Sequence, residues 1–109
     1  MLVLRIGERV RVLSRYGVDW TDQFPLITAA AAALKVKPSL KVKPFLIDGE
    51  AIARDDDGVA NFQLLRRGAP AILCAFDLLV LDGKDLRREP IEARKAALAK
   101  LLRRSKIEK

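Results

Sequence analysis

The chain has 109 residues, enough for one domain with a modest core, and no apolar run approaches the ~20 residues that span a bilayer. Its 21 Lys and Arg against 14 Asp and Glu give a formal charge of +7, which favours a polyanion such as nucleic acid as partner; the alternative is a solvated basic surface. There is no histidine and only one cysteine, Cys74, so His-based acid–base chemistry, His metal ligation, the usual nucleophilic triads and disulfides are excluded, and a cytoplasmic setting is expected.

In chain order, Leu2, Leu4 and Ile6 alternate with Val3 and Arg5, a strand pattern; the stretch is too short for a signal peptide. Gly7-Glu8 reads as a two-residue hairpin turn with Gly in the first central position. From Arg9 to Ser14, Val10 and Val12 share one face and Arg9 and Arg11 the other, predicting a half-buried antiparallel strand with a basic outer side. After Ser14-Arg15-Tyr16-Gly17, a helix is expected with Thr21 or Asp22 as cap and Pro25 in its first turn, where a missing N–H is tolerated. Phe24, Ile27, Ala31 and Leu34 recur on it at helical spacing.

Leu34-Lys35-Val36-Lys37-Pro38-Ser39 is nearly copied by Leu40-Lys41-Val42-Lys43-Pro44-Phe45, a local duplication that reads as a basic surface loop. From Phe45 to Arg54, strict alternation sends Phe45, Ile47, Gly49, Ala51 and Ala53 to one face. Asp48 and Glu50 therefore project from the other, ~7 Å apart. Two neighbouring acids repel, so they suit a cation, a metal or water better than a core. Asp55 to Gly58 is a turn, and Asn61 caps a short helix closed by Arg66-Arg67-Gly68. Ala71 to Leu81 is apolar on both faces, which predicts a central strand covered on both sides. Its one charge, Asp77, requires a hydrogen-bond or cation partner. Asp82-Gly83 makes a turn, and Pro90 opens a basic amphipathic helix with Ile91, Lys95, Leu98 and Leu102 on one stripe.

These residues carry a resemblance. Ser14-Arg15-Tyr16-Gly17 followed by Asp19-Trp20-Thr21 resembles the signature just downstream of the active-site lysine in ATP-dependent DNA ligases. Ile47-Asp48-Gly49-Glu50 is similar to the acidic nucleotidyltransferase motif, and Ala75-Phe76-Asp77-Leu78-Leu79 with Leu81-Asp82-Gly83 to the next motif in that order. The series, running from about Leu4 to Leu102, resembles the bacterial end-joining type of the family.

The resemblance implies an α+β fold: an antiparallel sheet with packed helices, part of an adenylation (nucleotidyltransferase) domain spanning 1–109. It implies ATP and Mg2+ as cofactors and DNA as partner. By position, Arg15 would face a nucleotide or DNA phosphate, Glu50 would sit by the AMP ribose and the catalytic metal, and Phe76 would stack on adenine with Asp77 bracing the strand. The plain alternatives are a surface Arg, a solvated Glu and a core Phe. The departures are as informative. No Lys-x-Asp-Gly-x-Arg motif occurs in the chain, so no residue here is a candidate nucleophile, and the later motifs, including the paired lysines that grip phosphate, are absent too. The expectation is a truncated ligase domain, inactive alone, with unpaired strand edges; the alternatives are a non-catalytic basic nucleic-acid-binding module, or one part of a split ligase whose partner chain supplies the lysine and missing strands.

Overall fold

The computed structural model describes residues 1–34, 44–103 and 105–108. Most of the duplicated hexapeptide, including Lys35, Lys37, Lys41 and Lys43, lies outside them. The strands are β1 (Leu2–Ile6), β2 (Arg9–Leu13), β3 (Phe45–Ile52), β4 (Ile72–Leu81) and β5 (Lys84–Asp85), and the helices α1 (Pro25–Ala32), α2 (Phe62–Arg66) and α3 (Ile91–Leu101). One antiparallel sheet runs in the order β2-β1-β3-β4-β5, giving the expected α+β architecture. No helix among the described residues is long and apolar enough to cross a membrane.

The first hairpin follows from its turn. Ile6 pairs with Arg9, so Gly7 and Glu8 alone make the loop, and Gly7 takes φ 61° at the position where an L side chain would be strained. Val3 pairs with Val12 and with Ile47, and Ile47 with Leu78, so one buried aliphatic row crosses four strands. Ile27 and Ala31 of α1, Leu98 of α3, and Leu102 and Ile107 beyond it belong to the same buried cluster. Both longer helices therefore cover one face of the sheet.

Arg5 points into that core, 4% exposed. Its Nη1 lies 2.7, 2.8 and 3.0 Å from the carbonyl oxygens of Ala31, Ala32 and Leu34, and its Nε donates to Gly7 at 3.0 Å. The guanidinium satisfies the last carbonyls of α1, where the helix dipole favours a cation.

Three local expectations are corrected. Thr21 and Asp22 do not cap α1: Thr21–Gln23 forms a separate 3-10 turn, and α1 starts after Phe24 with no side-chain cap and Pro25 in its first turn. Thr21 is instead a tie, its hydroxyl oxygen accepting from Val12 N at 3.0 Å and its carbonyl from the Thr28 hydroxyl at 3.2 Å. Of the expected α3 stripe, Leu98 and Leu102 are buried but Ile91 and Lys95 are exposed, and Arg94, Ala97 and Leu101 share the inward side instead. Finally, β4 is not covered on both sides. Leu73, Ala75 and Leu78 are buried, whereas Ile72 and Cys74 are half-buried and Phe76 is exposed. The Asn61 cap holds, its Oδ1 accepting from Gln63 N at 2.9 Å.

The sheet edges are partly closed by the chain itself. Residues 18–21 fold back along β2, with Trp20 N donating to Val12 O at 2.7 Å and a bridge between Leu13 and Asp19. On the far side Glu108 forms a parallel bridge to Cys74, and its carboxylate takes a two-pronged bond from Arg54 at 3.2 and 2.7 Å. The expectation of bare strand edges is thus met only in part; the larger open surface is a face.

Candidate functional site

Opposite the helices, the sheet presents the other half of each strand. Leu2 pairs with Leu13 and Asp48, and Leu4 with Arg11 and Leu46, so these residues share the open face with Val80, the partner of Leu46. The aliphatics among them are half-buried and lie outside the main core cluster. In this surrounding sit the acids of β3. Asp48 pairs across to Asp77, and Glu50 to Cys74.

Between those two pairings the ladder slips. Gly49 pairs with Ala75 and Asp48 with Asp77, which leaves Phe76 as the extra residue of a β-bulge. A bulge re-aims its side chain, and Phe76 is 43% exposed beside the Asp48-Gly49-Glu50 backbone. The core-Phe alternative therefore fails. The glycine is required here: a Cβ on Gly49 would lie 2.6 Å from Cys74 O, closer than real Cβ atoms come, and a tight 3.1 Å from Ala75 Cα.

The polar groups here are unequally satisfied. Asp77 Oδ1 accepts from Arg94 Nε and from Leu78 N, each at 2.9 Å, and both partners of that ion pair are less than a fifth exposed. Arg94 also donates to the carbonyls of Arg87 and Glu89, tying α3 to the β5 loop. Asp48 has no such partner: its Oδ1 is buried and without a hydrogen bond among the described residues. Glu50 is exposed, with no ion pair among them.

Arg15 stands apart. It sits in a turn held by Ser14, whose hydroxyl accepts from Tyr16 N at 3.2 Å and Val18 N at 2.9 Å, so Arg15 and Tyr16 face solvent. β2 and β3 run the same way with β1 between them, so Arg15 leaves β2 at the Glu50 end of the sheet, two strands or ~10 Å across. Next to this turn, the hydroxyl and amide of Thr21, with the Arg11 guanidinium, hold the Asp19 carboxyl below its ordinary range. The Glu108 carboxylate likewise raises Arg54.

Glu50, Asp48 and Phe76 are thus gathered on the open face, with Arg15 at its margin. An exposed ring on the strand that pairs with two acid-bearing positions fits a flat base with a polar sugar. Among the described residues no three His, Cys, Asp or Glu converge as a metal cage. Glu50 and Asp48 alone fit a hard cation that keeps most of its waters, as Mg2+ does. Reading the sequence missed Arg5 and Arg94, because both answer to groups distant in the chain: Arg94 is 17 residues from Asp77, and Arg5 is 26 from Ala31.

Comparison with known proteins shows the family to which the chain belongs. The family model described as ATP dependent DNA ligase domain matches residues 1–109. The chain is 36% identical over 108 residues to the multifunctional non-homologous end joining protein LigD of Pseudomonas aeruginosa, covering 93% of this chain and 12% of that protein. It is 39% identical over 114 residues to a probable DNA ligase of Streptomyces griseus, covering 92% and 21%. Among solved structures it resembles the ligase domain of LigD from M. tuberculosis, with a TM-score of 0.81, 31% identity, and coverage of 98% of this chain and 35% of that one. A mycobacterial DNA ligase D complexed with ATP and MES matches with a TM-score of 0.82 at the same identity. The chain therefore spans only a minor share of each relative's length.

Proposed function

Since this chain belongs to the ATP-dependent DNA ligase family along its whole length, we propose that it forms the central part of an adenylation domain and carries the base- and ribose-binding side of an ATP site. The observation that carries this is the bulge of β4, which sets an exposed Phe76 beside Glu50 and Asp48. Phe76 stacks on adenine, a flat ring offering dispersion and π contact. Glu50 takes the ribose hydroxyls and, with Mg2+ bound, a position near the metal; the cation's role is to neutralise phosphate charge. Arg15 grips a phosphate of the nucleotide or of DNA, where a guanidinium forks onto two oxygens.

No residue of the chain is assigned the covalent step, because Lys-x-Asp-Gly-x-Arg does not occur in it. Attack on the ATP α-phosphate, and so ligation of DNA in a cytoplasmic end-joining setting, needs a lysine from outside these 109 residues. That ATP is bound by a relative of known structure supports the ligand. One-third coverage of that relative supports the division of labour.

The test is saturation-transfer NMR of the purified chain with ATP and magnesium, beside intact mass. Adenine protons should receive saturation, Phe76→Ala should abolish it, and Glu50→Ala should weaken it chiefly at the ribose protons. No mass gain of one AMP should appear. Transfer indifferent to Phe76→Ala would sink the site, and a gain of AMP would sink the division of labour.

A further inference from the structure

The turn that follows β2 holds out an aromatic ring that the fold does not use. Tyr16, the single tyrosine of the chain, is 96% exposed, and Val18 on the same turn is 55% exposed. Apolar side chains scattered over a surface are ordinary, but here the backbone beneath them is fixed. Ser14 is buried, and its hydroxyl accepts from Tyr16 N at 3.2 Å and from Val18 N at 2.9 Å. Its own N–H donates to Val18 O at 2.8 Å, and its carbonyl accepts from Gly17 N at 3.0 Å. Leu13 and Asp19 bridge across the base of the turn. A tyrosine on such a mount has two side-chain torsions left to fix when it meets a partner, so the entropy cost of contact is small.

The neighbouring charge says what the partner is. Arg15 is exposed and has no acid partner among the described residues, whereas Arg11 is held by Asp19 at 3.3 Å. A free guanidinium beside a free ring suits a nucleic-acid strand, the one taking a phosphate and the other a base. Bases inside a duplex are stacked on both faces and closed to such a ring, so the base it takes is unpaired. We infer that Tyr16 is a stacking platform for an unpaired base at a DNA end, with Arg15 on the adjoining phosphate. The turn leaves β2 at the Glu50 end of the sheet, so a strand seated there ends at the margin of the proposed nucleotide site. This rests on the proposed phosphate role of Arg15 and adds a substrate class to it: frayed or tailed ends, preferred over continuous duplex.

Fluorescence anisotropy of the purified chain compares a labelled blunt duplex with the same duplex carrying roughly four unpaired nucleotides at one end. The tailed duplex should bind roughly tenfold tighter, the order of affinity that one base–aromatic stack supplies. Tyr16→Ala should remove the difference by weakening the tailed complex alone, and Tyr16→Phe should keep it. Arg15→Ala should weaken both complexes by the same factor. The Tyr16 variants should melt within a few degrees of the parent chain, because the side chain is almost wholly exposed. Added salt should weaken both complexes and leave their ratio unchanged, since a stack, unlike a phosphate contact, releases no counterions.

Equal binding of blunt and tailed duplexes by the parent chain overturns the inference, as does a preference that survives Tyr16→Ala or vanishes with salt. Equal losses in Tyr16→Phe and Tyr16→Ala overturn it too, because the preference would then belong to the hydroxyl. If neither duplex responds to Arg15→Ala, the phosphate reading falls and this one with it. An Arg15 effect without a tail preference overturns this inference alone. A tail preference that depends on Tyr16, in a chain that gives adenine no saturation transfer, would retire the nucleotide reading and leave this one standing.

Discussion

A Cβ on Gly49 would stand 2.6 Å from the carbonyl oxygen of Cys74 and 2.9 Å from Leu73 Cδ1. The first of these is backbone, held by the ladder, and cannot swing aside. Gly49→Ala must therefore push β3 and β4 apart where Asp48 and Glu50 are mounted, at a cost of about 1–3 kcal/mol typical of overpacking. Urea denaturation should give a lower midpoint with unchanged slope; an unchanged midpoint would show that the strands are freer there than the contact distance implies. The same residue marks how far the site was legible. Alternation alone placed Asp48 and Glu50 on one face, because a strand's period is local. The reason for glycine between them was not legible, since it depends on the close approach of another strand. Phe76 drew notice only through its motif, and its exposure follows from the bulge of β4.

Arg5 shows the corresponding gap among elements. It occupies a core-facing position of β1, where an alternating pattern would ordinarily place an aliphatic residue. It is tolerated because α1 ends against it and offers three carbonyls within 3.0 Å. Arg5→Ala should strip that cap and leave a void, destabilising the chain by roughly 2–4 kcal/mol, whereas Arg5→Lys keeps a cation and should lose less. Hydrogen exchange should speed selectively through the last turn of α1; protection unchanged there would mean the carbonyls find water instead. Element existence was otherwise readable: the hairpin at Gly7, the Asn61 cap and the acidic strand all follow from neighbours within a few residues. The errors arose where tertiary contacts decide. β4 is apolar on both faces, which reads as double cover although helices pack on only one. In the first half of α3 the inward position goes to Arg94, which reaches Asp77 at 2.9 Å, while Ile91 and Lys95 stay exposed; Leu98 and Leu102 are buried as expected.

For the molecule as a whole the question is what a charge of +7 accomplishes. Among the described residues five cations are held by acids, namely Arg11, Arg54, Lys84, Arg87 and Arg94. Of the described cations without an ion pair, Arg9 lies on β2, Arg66 at the end of α2, 5.1 Å from the Phe62 ring, and Lys100 on α3. Charge spread over several elements engages few phosphates at once. Binding to duplex DNA should therefore be weak and non-specific, with Kd of roughly 10⁻⁴–10⁻⁶ M at physiological salt. With about three phosphates neutralised, log K should fall against log salt with a slope near −3. Fluorescence anisotropy of a labelled duplex across a salt series measures both quantities. Nanomolar affinity at physiological salt would make a self-sufficient nucleic-acid module the better account of the chain. Weak binding with that slope fits a share of a larger ligase surface, in which the DNA is held by more than these 109 residues provide.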